Sequence, residues 1–99
     1  MTVQLSLTVN DVAIKTDYFV EAFVDHTVSG MMEALEGTGK IKDLELSIDG
    51  NKLVVNLNGD VVPTNEFVNK IFKATLSGLV STLKGVSGEV KKIKVSLHK

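Results

Sequence analysis

The chain has 99 residues, 43% hydrophobic and 23% charged, with a net charge of −1 at pH 7. That composition is enough for the core of one domain, and it excludes a disordered chain or a surface whose overall field recruits phosphate or anionic lipid. All 11 basic residues are lysines and there is no cysteine. The missing arginine fork weighs against nucleic-acid recognition, and the missing thiol excludes disulfides, thiolate zinc sites, iron–sulfur clusters and a cysteine nucleophile.

Val3, Leu5, Leu7 and Val9 alternate with polar residues, the two-residue period of a strand with one dry and one wet face. This start has neither the basic residues nor the unbroken apolar stretch of a secretory signal, and no apolar run reaches the ~20 residues that cross a bilayer. The expectation is a cytoplasmic protein with no membrane segment. Asn10-Asp11 marks a turn, and Val12-Ala13-Ile14 is a short extended piece, either a lead into the helix or an extra strand. A helix is predicted from Thr16 as N-cap, with Phe19, Val20, Phe23, Val24, Val28, Met31 and Leu35 on its apolar side and Gly37-Thr38-Gly39 as its stop. Ile41 to Ile48 reads as a strand, and Asp49-Gly50-Asn51 as a hairpin turn.

The remainder repeats this pattern. Leu53, Val55 and Leu57 match Leu5, Leu7 and Val9; Asn58-Gly59-Asp60 stands for the earlier turn; Val61 and Val62 match Ala13 and Ile14. The second helix, predicted between Thr64 and Gly85, has Phe67, Val68, Ile71, Phe72, Leu76, Leu79, Val80 and Leu83 on its apolar face, with Lys84 in the last turn. Thr64, Phe67, Val68, Thr75, Ser77, Gly78, Leu83 and Gly85 repeat Thr16, Phe19, Val20, Thr27, Ser29, Gly30, Leu35 and Gly37 at an offset of 48, as 64 − 16. After one extra residue near Ser87, Val90, Ile93, Val95 and Leu97 match Ile41, Leu44, Leu46 and Ile48. The run N-G-D-V-V-P-T-N-E-F-V-N-K-I-F at Asn58 to Phe72, with S-G-L-V-S-T-L-K-G at Ser77 to Gly85, resembles short conserved prokaryotic, mainly archaeal, proteins of uncharacterised function. The first half follows the same pattern, with Lys15 where Pro63 stands. The resemblance implies no activity and transfers no site residue.

These observations predict an α+β two-layer sandwich, ferredoxin-like β-α-β-β-α-β from an internal duplication, with both helices on one face of the sheet. It is read as a single domain, 1–99, with repeats at about 3–48 and 51–97. If the pieces at Val12 and Val61 are strands, each unit becomes ββαβ and the sheet six-stranded. Gly30 and Gly78, each costing ~1 kcal/mol inside a helix, suggest close backbone approach where the helices cross.

Little here points to chemistry. Gly37-Thr38-Gly39-Lys40 is not a phosphate loop, because Ala34 stands where the first glycine belongs and the loop leaves a helix instead of entering one. Asp43, Glu45, Ser47 and Asp49 mimic alternating calcium ligands, but Leu44, Leu46 and Ile48 between them define the wet face of a strand. His26 and His98 are far apart in sequence, and no nucleophile with a spaced base appears. No catalytic or metal-ligating residue, no cofactor and no defined ligand-binding residue is assigned, and the reading leans away from an enzyme.

The charges are more informative. The first helix carries Asp17, Glu21, Asp25, Glu33 and Glu36 without a lysine, while the second carries Lys70, Lys73 and Lys84 against Glu66. The strand bearing Asp43 and Glu45 and the last strand bearing Lys92 and Lys94 are expected at opposite sheet edges, where charge protects an edge or pairs protomers into a homodimer. The other sheet face, with Gln4, Ser6, Thr8, Lys52, Val54 and Asn56, lacks the aromatics on which RNA-binding sheets stack bases. The expected function is a non-enzymatic protein-interaction module whose partner is itself or another protein. The alternative is a small-molecule-sensing domain binding at the strand-to-helix loops, Asn10-Asp11 and Asn58-Gly59-Asp60.

Overall fold

A computed structural model describes residues 4–36, 41–83, 85, 86 and 88–99. Val3, the Gly37 to Lys40 loop, Lys84 and Ser87, used in the readings above, lie outside the described residues. The elements are β1 (Gln4–Val9), β2 (Val12–Ala13), α1 (Tyr18–Glu36), β3 (Asp43–Asp49), β4 (Lys52–Leu57), β5 (Asp60–Val61), α2 (Glu66–Val80) and β6 (Lys92–His98). The short pieces are therefore strands, and each half runs strand, short strand, helix, strand.

The hairpin residues explain the local geometry. Asn10 and Asp11 have φ of 50° and 66°, and Asn58 and Gly59 have 51° and 89°. Two successive left-handed residues make the tight turn whose twist matches the strands on either side. Gly50, at φ 61°, makes the related turn with glycine at its first central position, joining β3 to β4.

All strand pairs are antiparallel, in the order β2-β1-β6-β3-β4-β5. This corrects the ferredoxin-like expectation that put β3 and β6 at opposite edges: they are the two central strands and pair with each other. The reason lies on both faces. Leu44, Leu46, Ile48, Ile93, Val95 and Leu97 are all buried on the core side, and central strands bury most. On the open side Asp49 stands opposite Lys92, Glu45 opposite Ser96 and Asp43 opposite His98. The acidic strand thus lies beside the basic one within the chain, with His98 reaching Asp43 and Glu45, while Lys92 pairs with Asp11 of the first hairpin. The edges are instead the two-residue strands β2 and β5, too short to template another chain.

The hairpin registers of the two halves correspond. Val9 opposite Val12 and Thr8 opposite Ala13 in the first half correspond to Leu57 opposite Asp60 and Asn56 opposite Val61 in the second. Leu46 and Val95, counterparts in the two halves, are paired with each other at the middle of the sheet.

Both helices lie on the core side, since Val24, Val28 and Met32 of α1 and Phe72, Leu76 and Val80 of α2 join the strand leucines and valines in one cluster. The N-caps fall one residue later than predicted. Val20 N donates to Asp17 Oδ1 (2.9 Å) and Val68 N to Asn65 Oδ1 (2.8 Å), the carboxylate or amide outcompeting the neighbouring threonine. Thr64 Oγ1 donates instead to Asn69 Oδ1. α2 ends at Val80 with Ser81 as C-cap, short of Gly85. Nothing lies within 4 Å of a Cβ built on Gly30 or Gly78, so neither glycine marks a close helix approach.

Candidate docking surface

Side chains of α1 recur on two ridges set one residue apart. Val20, Val24, Val28 and Met32 form the ridge that meets the sheet, with the last three buried. Phe19 and Phe23, each four residues from the next on the adjoining ridge, are 65% and 53% exposed. In α2, Val68, Phe72, Leu76 and Val80 face the sheet, while Phe67 and Ile71 are 69% and 46% exposed. The predicted apolar faces therefore divide: part forms the core, and the rest faces outward. Tyr18 adds to the surplus at 86% exposed. The Phe19 and Phe23 rings lie with centroids 6.1 Å apart and planes tilted by 44°, a favourable arrangement for neighbouring aromatics.

Between the helices runs an open groove of about 530 Å³, lined by Phe19, Val20, Phe23 and Thr27 of α1 and by Thr75, Leu79, Thr82 and Leu83 beyond. Two of its threonines turn their hydroxyls back to their own backbone, Thr27 Oγ1 donating to Phe23 O (2.7 Å) and Thr82 Oγ1 to Leu79 O (2.8 Å). A shallower depression beside it includes Ala22 and His26, which places His26 on the outer helical surface next to the aromatics. An outward-facing apolar area of this kind is unusual on a protein that works alone.

The other candidate regions are engaged structurally. In the strand-to-helix loops, Asn10 Oδ1 accepts from Lys91 N (2.8 Å) and Lys92 N (2.9 Å), and Asn58 Oδ1 accepts from Lys42 N (2.8 Å) and Asp43 N (3.0 Å). Asn10 N also donates to Lys92 O and Asn58 N to Asp43 O. Each asparagine thus bolts a hairpin to the start of a central strand. On the open sheet face His98 Nδ1 lies 2.6 Å from Asp43 Oδ1 and Nε2 lies 3.6 Å from Glu45 Oε1, and Ser96 Oγ donates to Glu45 Oε2. The hydrogen bond to Asp43, helped by both carboxylate charges, raises the His98 pKa above its ordinary value. On α1, the mostly buried Asp25 pairs with Lys99 Nζ at 3.0 Å and accepts from Ser29 Oγ at 3.0 Å, fastening the last residue to the helix.

Comparison with protein-family models, curated proteins and solved structures finds no match. No group of three or more His, Cys, Asp or Glu side chains among the described residues is arranged to hold a metal ion, and no helix there is long and apolar enough to cross a membrane. Sequence reasoning placed Phe19, Phe23, Phe67 and Ile71 on the buried apolar faces and did not single out Tyr18. The sequence did signal a surplus, since an apolar arc with two ridges is wider than contact with one sheet requires, but not which ridge is left over.

Proposed function

We propose that this chain is a small non-enzymatic protein-interaction module that docks through its helical face. The observation that carries this reading is where the aromatics are placed. Of Tyr18, Phe19, Phe23, Phe67 and Phe72, only Phe72 is buried. Each exposed ring forgoes the ~1.5–3 kcal/mol that burial of a large apolar side chain provides, and a partner on this face recovers it. The same reading takes the halves as copies of one ββαβ unit. Their matching registers support that, and it explains why Phe19 and Phe67, at corresponding positions, are exposed together.

The alternative, ligand sensing at the strand-to-helix loops, has less support, because Asn10 and Asn58 already use their side-chain oxygens to hold β6 and β3. The two readings part in the cell. A photo-reactive phenylalanine analogue at position 67 is expected to form a discrete covalent adduct with a protein, while the same analogue at Val54, on the open sheet face, forms none. Equal labelling at both positions, or none at 67, refutes docking through the helices.

A further inference from the structure

Resting on the docking reading, we propose that the occupant of the helical face is a second copy of this chain, related by a two-fold axis parallel to the groove between α1 and α2. Three observations converge on it. The first is area: the molecule is a slab of 34 × 34 × 18 Å, and one broad face easily supplies the roughly 800 Å² per partner of a standard interface. The second is self-complementarity, which a two-fold interface requires. Phe19 and Phe23 stand at one end of the face and Phe67 and Ile71 at the other, so each copy offers both rings and groove to its mate.

The third is charge, and it selects the axis. α1 returns the chain from β1 to β3, which run the same way, and α2 from β4 to β6, which both run the opposite way, so the two helices flanking the groove are antiparallel. Thr27 and Thr75 are counterparts in the two halves, and both line that groove. Lys70 precedes Thr75 by five residues and Glu33 follows Thr27 by six. At ~1.5 Å per residue both lie roughly 8–9 Å toward the same end of the slab. A two-fold along the groove lays α1 of one copy over α2 of the other, bringing Glu33 to the level of the partner's Lys70, and by symmetry doing so twice. A two-fold across the groove instead stacks α1 on α1, and there Glu21 and Glu33 meet no lysine of that helix, while Asp25 is already paired with Lys99. Like charges facing across an interface disfavour it. Within its own helix Lys70 has only an exposed contact with Glu66 at 3.9 Å, which costs little to give up.

The test is solution mass by light scattering and dissociation by sedimentation, from about 1 to 200 µM, on wild type and four variants. Wild type is expected at twice its 10.7 kDa chain mass at the upper concentrations. Phe19→Ser with Phe67→Ser is expected to be a folded monomer throughout. Glu33→Lys and Lys70→Glu, which sit at exposed positions and leave the fold intact, should each weaken the dimer about tenfold, and the two together should restore it to within about threefold. A wild-type monomer at 200 µM overturns the proposal. If position 67 still labels a different protein in cells, that result leaves the docking reading standing while removing the second copy as occupant. A dimer that survives loss of both phenylalanines, or one whose charge reversals do not compensate, also overturns it.

Discussion

Asn58→Ala tests whether the asparagine bolts hold the hairpins to the central strands. Asn58 has φ 51°, and its Oδ1 accepts from Lys42 N at 2.8 Å and Asp43 N at 3.0 Å. Both bonds are exposed, so water replaces them in part and each contributes ~0.5 kcal/mol, the low end for a net hydrogen bond. A left-handed alanine costs ~1 kcal/mol more. The sum is ~2 kcal/mol, or a fall in Tm of roughly 8–16 °C for a domain of this size. Asn58→Gly keeps the backbone free to turn and loses only the bonds, ~1 kcal/mol. Asn58→Asp keeps an acceptor and is expected within ~0.5 kcal/mol of wild type. Urea unfolding followed by circular dichroism reads all three. An order other than Asp above Gly above Ala, or three variants indistinguishable from wild type, refutes the reasoning and returns these loops to candidacy as ligand sites.

Other expectations follow from the same geometry. The folded pKa of His98 lies above its unfolded value of 6.5, so its contribution is fully present below pH 6.5 and lost as pH rises through the folded value. A proton NMR titration should give His98 a midpoint above 6.5 that falls back in Asp43→Asn. Gly30→Ala and Gly78→Ala meet no neighbour and should each stabilise the dissociated chain by ~0.5–1 kcal/mol in dilute thermal melts; destabilisation means the helices approach more closely than described. Asp25→Ala strips a mostly buried partner from Lys99 and Ser29. Discounted for the partial exposure of both charges, the loss is ~1–2 kcal/mol in urea titration, and a neutral result means the last residue is not fastened to α1.

The strands were legible because Leu44, Leu46 and Ile48, like Ile93, Val95 and Leu97, alternate with polar residues on a strict two-residue period. Their order was not, because alternation says which face is dry and nothing about which strands lie next to each other. Asp43, Glu45, Lys92 and Lys94 were read as guarding separate edges, whereas complementary charge on two deeply apolar strands equally describes neighbours. The caps were misplaced by one residue because Thr16-Asp17 and Thr64-Asn65 each offer two competent oxygens, and tertiary geometry chooses between them. The outward apolar patch was hidden by the same cause in both helices. The 3.6-residue period assigns Phe19 and Val20, or Phe67 and Val68, to one apolar arc, and only the position of the sheet decides which of them it covers.

The central claim is that the outward rings serve association and not the fold. The most direct measurement is the unfolding free energy of Phe19→Ser with Phe67→Ser in urea at about 0.5 µM, where complexes dissociate, beside Leu76→Ala as a core reference. Leu76 is 1% exposed, and its truncation should cost ~3 kcal/mol. The double phenylalanine variant is predicted to stay within ~1 kcal/mol of wild type, as substitutions at exposed sites do. A loss of 3 kcal/mol or more would place those rings in the core and contradict the account.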